Sequence, residues 1–92
     1  MKSMNDLVKV EIEYIGFLSK MSGKKSEIIE IPSDAAEIAK TITAYLKTAY
    51  GMNQPVLIMV NGRNIINYIK MHKEIGLTEG TCFKVMPIIS GG

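Results

Sequence analysis

Val56-Leu57-Ile58-Met59-Val60-Asn61-Gly62 is a five-residue apolar run followed at once by a turn-forming pair. The run is short, rich in β-branched residues and preceded by Pro55, which reads as a strand rather than a helix. Asn61 and Gly62 both tolerate positive φ, and together they are the strongest short hairpin signal a sequence offers. Arg63 to Ile66 can supply a short return strand. Asn67 to Gly76 follows, where a turn or one helical turn is expected.

Upstream, Ala35, Ile38, Ile42, Tyr45 or Leu46, and Ala49 recur at three- and four-residue steps. They draw one apolar stripe along a helix of about four turns. Pro32 keeps the preceding chain extended, Ser33 or Asp34 can cap the helix, and Asp34 with Glu37 has capping-box spacing. Gly51 stands where a left-handed C-cap belongs. Further out, Leu7 to Ile15 alternates, with Val8, Val10, Ile12 and Tyr14 on one side and Lys9, Glu11 and Glu13 on the other. Glu27 to Ile31 forms a second strand ended by Pro32. Gly16 to Gly23, between the two, is expected to be a hairpin connection with some apolar anchoring. The last strand runs from Cys82 to Met86 after a tight turn at Leu77-Thr78-Glu79-Gly80, and Pro87 stops it. The glutamates are expected on strand exteriors, caps and turns.

One helix of this length covers one face of a four- or five-stranded sheet, which gives an α+β layer with a mixed sheet. Ninety-two residues make a single domain, 1–92, with a flexible tail at 87–92. If Val56, Ile58 and Val60 face the helix, Leu57 and Met59 fall on the open face. Phe83 and Val85 suit the core, so Cys82, Lys84 and Met86 also turn outward. Leu57, Met59 and Met86 then make an apolar patch beside the C-terminus that is expected to bind a partner, unless the segment 67–76 folds back over it.

Composition removes several function classes. The chain is 47% hydrophobic and 22% charged, with a net charge of +2, which is globular. Its densest basic patch is only Lys24-Lys25, so a nucleic-acid surface is not expected. One cysteine, Cys82, permits no intramolecular disulfide, and with the single histidine, His72, no metal cluster is expected. Cys82 reads as a buried or half-buried strand thiol, and His72 as exposed. No apolar leader and no run long enough to cross a bilayer is visible, so no membrane association and a cytoplasmic location are expected.

The sequence carries no Ser/His/Asp order, no Gly-rich phosphate loop and no zinc-protease helix motif. The chain therefore looks like a component acted upon rather than a catalyst alone. What remains is the tail, Pro87-Ile88-Ile89-Ser90-Gly91-Gly92. A terminal carboxylate has a pKa of about 3.3–3.7 and is ionised at neutral pH. It can attack the α-phosphate of ATP inside an enzyme that supplies Mg²⁺ and cationic groups. Residues without Cβ can thread a narrow channel. A Gly-Gly end can also be incidental, as termini often are.

Three motifs, Val60-Asn61-Gly62, Leu77-Thr78-Glu79-Gly80 and Pro87 to Gly92, in this order on a helix-across-sheet pattern, resemble the MoaD/ThiS family of ubiquitin-like β-grasp sulfur carriers. The likeness is nearest to the molybdopterin synthase small subunit and the archaeal ubiquitin-like modifiers. It implies a β-grasp fold with no bound cofactor. An adenylating enzyme would use ATP to activate Gly92, and a sulfur donor would convert the adenylate to a thiocarboxylate. The large subunit of molybdopterin synthase, or an equivalent acceptor, would take the sulfur. Gly91, Ser90, Ile89, Ile88 and Pro87 would thread the partner's channel, and Leu57, Met59 and Met86 would dock it. Glu79-Gly80-Thr81 keeps only part of the family's acidic turn, and Ile88 replaces a second proline, which separates the chain from the typical small subunit. A modifier joined to lysines through Gly92 and a noncatalytic interaction domain are the alternatives.

Overall fold

The computed structural model describes residues 6–72 and 75–88. The first strand, β1 (Leu7–Tyr14), alternates as its sequence predicts, burying Val8, Val10, Ile12 and Tyr14. A short helix, α1 (Leu18–Ser22), occupies the expected hairpin connection, and the completely buried Leu18 supplies its apolar anchor. It is followed by β2 (Ser26–Pro32), antiparallel to β1.

Asp34 caps the next element by accepting the Ala36 N–H at 3.0 Å. The reciprocal half of the capping box does not form: Glu37 instead lies 3.8 Å from the Lys40 ammonium. The helix enters through a 3₁₀ turn (Ala35–Glu37) and becomes α-helical as α2 (Ile38–Tyr50). Ile38, Ile42 and Leu46 are buried along its stripe and Tyr45 is half-buried; in the last turn Tyr50, not the exposed Ala49, packs against the core. Gly51 closes α2 with φ +68°, donating to the Lys47 carbonyl at 2.9 Å, as a left-handed cap requires.

β3 (Val56–Val60) and the two-residue β4 (Arg63–Asn64) are joined through Asn61 and Gly62, at φ +53° and +76°. The return strand stops at Asn64 because its side chain accepts the Ile66 N–H at 2.9 Å, a cap that starts a helix. That helix, α3 (Ile65–His72), takes the place of the expected return strand to Ile66 and single turn. It buries Ile65 and Tyr68, and the Tyr68 ring meets Phe83 edge-on at 6.4 Å. His72 is not simply exposed: it stacks on Tyr68 with ring centroids 4.0 Å apart.

The final strand, β5 (Cys82–Pro87), runs parallel to β1 and antiparallel to β3, giving the order β2-β1-β5-β3-β4. The turn before it is stitched to β1. Glu79 accepts the Lys9 N–H at 2.9 Å, and Gly80 donates to the Lys9 carbonyl at 2.8 Å. The acidic residue of that turn thus has a structural use. The core lies between the sheet and α2, with Phe83, Val85, Ile12 and Val60 fully buried beneath Ile38, Ile42 and Leu46. Each such side chain contributes about 1.5–3 kcal/mol through burial.

Candidate functional site

The strand that leads to the tail is not at an edge. β5 is bonded on one side to β1 and on the other to β3, so the root of the tail is held from both flanks. On the face away from α2, the pairing brings side chains into rows. Leu57 stands opposite Met86, and Met59 opposite Lys84. Continuing the β1–β5 register by one residue sets Ile15 beside Met86, and the Ile15 N–H donates to the Val85 carbonyl at 2.9 Å. Leu57, Met59, Met86 and Ile15 are all half-buried by their neighbours. A shallow hollow beside them is lined by Met59, Asn61, Gly62, Cys82, Lys84 and Met86.

The described part of 67–76 packs on the opposite side, through Tyr68 against Phe83, so it does not cover this face. Polarity changes along the sheet. Near Pro87 the open face is Ile15, Met86 and Leu57; further back it is Glu13, Lys84, Glu11 and Cys82. Pro87 ends β5 half-buried, with Gly16 at its flank, and Ile88 is exposed. Ile89, Ser90, Gly91 and Gly92, which the sequence assigns to threading and charging, lie outside the described residues.

Cys82 is half-buried on this face, as its strand position predicts. Burial pushes its thiol up, the Glu11 and Glu13 carboxylates add to the rise, and Lys84 opposes it. A thiol held protonated is a poor nucleophile. Among the described residues no group of three His, Cys, Asp or Glu is placed to hold a metal, and no helix is long and apolar enough to cross a membrane.

One cluster escaped the sequence reading. Glu27 is on the inward phase of β2, not on its exterior, and receives three tyrosine hydroxyls. Tyr14 donates to Oε2, Tyr50 donates to the same oxygen at 2.5 Å, and Tyr45 donates to Oε1 at 3.0 Å. Lys24 completes the shell at 3.4 Å. Burial alone would raise this carboxyl, but the hydrogen bonds outweigh it and hold the group below its ordinary value of 4.5. Tyr14, Tyr45 and Tyr50 are all pushed up, first by burial and then by the carboxylate they serve, although neighbouring hydroxyls partly offset the shift at Tyr50. The signal was available: Glu27 shares the parity of Ile29 and Ile31, and a carboxylate on that phase needs donors.

No family model and no curated protein matches the chain. Solved structures do. A Pyrococcus furiosus protein described as a candidate molybdopterin converting factor subunit 1 superposes with a TM-score of 0.62 at 22% identity, over 89% of this chain and 99% of its own. The HVO 2177 protein of Haloferax volcanii gives 0.63 at 20% identity, covering 99% and 94%. Small archaeal modifier protein 1 of Methanosarcina acetivorans gives 0.61 at 16% identity, covering 95% and 99%. The chain has the ubiquitin-like β-grasp fold. In this β-grasp domain the sheet is five-stranded and mixed, and α2 is the helix that it grips.

Proposed function

We propose that this β-grasp protein is a sulfur carrier charged at the carboxylate of Gly92, with transfer into molybdopterin-type cofactor synthesis favoured. The observation that supports this reading is the placement of an uncovered apolar row, Ile15, Met86 and Leu57, at the point where β5 passes into the Gly-Gly tail. A partner that docks on Leu57, Met59 and Met86 receives the tail in a defined direction. Pro87 and Ile88 set that direction, and Ile89, Ser90 and Gly91 pass through the channel.

The chemistry needs nothing further from this chain. A Gly92 carboxylate oxygen attacks the α-phosphorus of ATP in an adenylating enzyme, and pyrophosphate leaves. A hydrosulfide equivalent from a sulfur donor then attacks the acyl carbon and AMP departs, leaving a thiocarboxylate. In an acceptor enzyme, of the molybdopterin synthase large-subunit type, the thiocarboxylate sulfur bonds to the substrate, and water then cleaves the acyl–sulfur bond, which leaves the sulfur on the substrate and restores the Gly92 carboxylate. All of this is assigned to the cytoplasm.

Mass spectrometry of the intact chain tests the reading. Incubation with a cognate adenylating enzyme, ATP and a sulfur donor exchanges one oxygen for sulfur, and deletion of Gly92 abolishes the exchange. Gly92→Ala sets a methyl beside the reacting carbon. A displacement of about 1 Å costs about a hundredfold in rate. An unchanged mass with a competent enzyme overturns the proposal. The structural likeness to an archaeal modifier protein favours a second reading, conjugation to lysines through the same carboxylate. It predicts a branched remnant running from Val85 to Gly92 on lysines of other proteins in tryptic digests of cells, since Lys84 is the last basic residue before the glycines.

A further inference from the structure

We propose that the free edge of β2 pairs with β2 of a second copy, forming an antiparallel, two-fold dimer with one continuous sheet. β2 is the outermost strand, and among the described residues it pairs only with β1. Tyr14 donates to the Lys25 carbonyl and Ser33 donates to the Asp6 carbonyl, which fixes the phase of the ladder. Lys25, Glu27, Ile29 and Ile31 therefore direct their backbone groups at β1, while Ser26, Ile28 and Glu30 direct theirs outward. An edge of this kind is a template for another strand.

The side chains select the second copy as that strand. In the register that sets Ile28 opposite Ile28, each Ser26 faces a Glu30, and each of these opposed pairs can exchange both of its hydrogen bonds. Ile28 is 70% exposed on the open face, where its apolar side chain has little to cover it. Facing its own copy, it gains an apolar cross-strand neighbour. The Ser26 hydroxyl can donate to the Glu30 carboxylate beside it. Pro32, whose missing N–H could not serve the ladder, falls beyond the paired residues.

The inner face also accepts this register. It sets Ile29 of one copy against Glu27 of the other, where a bare carboxylate would be costly to cover. Glu27 already receives Tyr14, Tyr45, Tyr50 and Lys24, so covering it strands no unpaired charge. With the axis perpendicular to the sheet, both open faces look the same way. β1 separates the pairing edge from β5, so both tail roots stay clear. The dimer offers two tails to one surface, which raises avidity for any partner that is itself paired.

Sedimentation of the full chain from micromolar to millimolar concentration tests the dimer. The average mass is expected to rise from one chain toward two, and Ile28→Lys is expected to hold it at one chain while circular dichroism stays unchanged. Cross-linking tests the register in a Cys82→Ser background. Ile28→Cys is expected to oxidise readily to a covalent dimer, since opposed antiparallel residues are about 5.5 Å apart at Cα. Glu30→Cys is not, because its copies are offset by about 14 Å along the strands. A monomer at every concentration, an unaltered mass profile for Ile28→Lys, or faster cross-linking at position 30 overturns the proposal.

Discussion

The carboxylate of Glu27 on β2 and the hydroxyl of Tyr50 in the last turn of α2 are 2.5 Å apart. The contact ties the outermost strand to the end of the helix and draws Tyr14 and Tyr45 into the same shell. Hydrogen bonds to a charged acceptor contribute about 1.5–3 kcal/mol each, and losing the acceptor leaves several donors short at once. Glu27→Ala is therefore expected to destabilise the fold by about 2–3 kcal/mol in urea titrations. Tyr45→Phe, at the longest of the three tyrosine bonds, is expected to cost about 1 kcal/mol.

The same cluster predicts a pH dependence with a definite sign. The Glu27 carboxyl lies below its ordinary value of 4.5 in the folded state. Its contribution is complete above 4.5 and is lost as pH falls through the lower folded value. The tyrosines act at the other end: raised folded values give stability that is present below 10 and lost as pH rises beyond it. Chemical denaturation across pH should show the difference between wild type and Glu27→Gln shrinking in acid. Phenolate absorbance from Tyr14 and Tyr45 should appear in base only with unfolding.

Gly62 isolates a purely conformational cost. Its φ is +76°, and an added Cβ would meet nothing within 4 Å. Gly62→Ala is expected to lose about 1–2 kcal/mol by thermal melting, because an L-residue is strained in that region. A synthetic chain with D-alanine at position 62 should recover most of the loss.

The two faces of the sheet should separate stability from recognition. Phe83 is fully buried, and Phe83→Ala is expected to cost about 3–5 kcal/mol. Met59→Asp lies on the uncovered face and should leave the melting curve within about 1 kcal/mol of wild type. On the proposed function, Met59→Asp should weaken binding of the adenylating enzyme in a pull-down while the protein stays folded.

Cys82 should alkylate slowly. Burial and the nearby Glu11 and Glu13 carboxylates keep its thiol protonated. Iodoacetamide at neutral pH is expected to modify it more slowly than a free thiol, and Glu11→Gln should speed the reaction.

The strands and α2 were legible because each rests on a short-range rule. Alternation set the inward side of β1, Asn61-Gly62 set the hairpin, and the spacing of Ile38, Ile42 and Leu46 set the helix face. The face carrying Leu57, Met59 and Met86 followed from parity alone. α3 was obscured by the hairpin signal before it. Ile65, Tyr68, Ile69 and His72 have helical spacing, but β4 ends after two residues only because Asn64 caps α3. Glu27 was missed for another reason. Its three tyrosine partners come from β1 and from two turns of α2, and sequence distance hides that convergence.

The parallel course of β1 and β5 has a mechanical consequence. Traction on the C-terminus drags β5 lengthwise between two fixed neighbours, so resistance is shared along both ladders rather than broken bond by bond. A protease or unfoldase that engages the Gly-Gly end must shear both ladders to extract β5, and Phe83 and Val85 leave the core with it. The end through which this domain would be charged thus continues a strand that is gripped on both flanks.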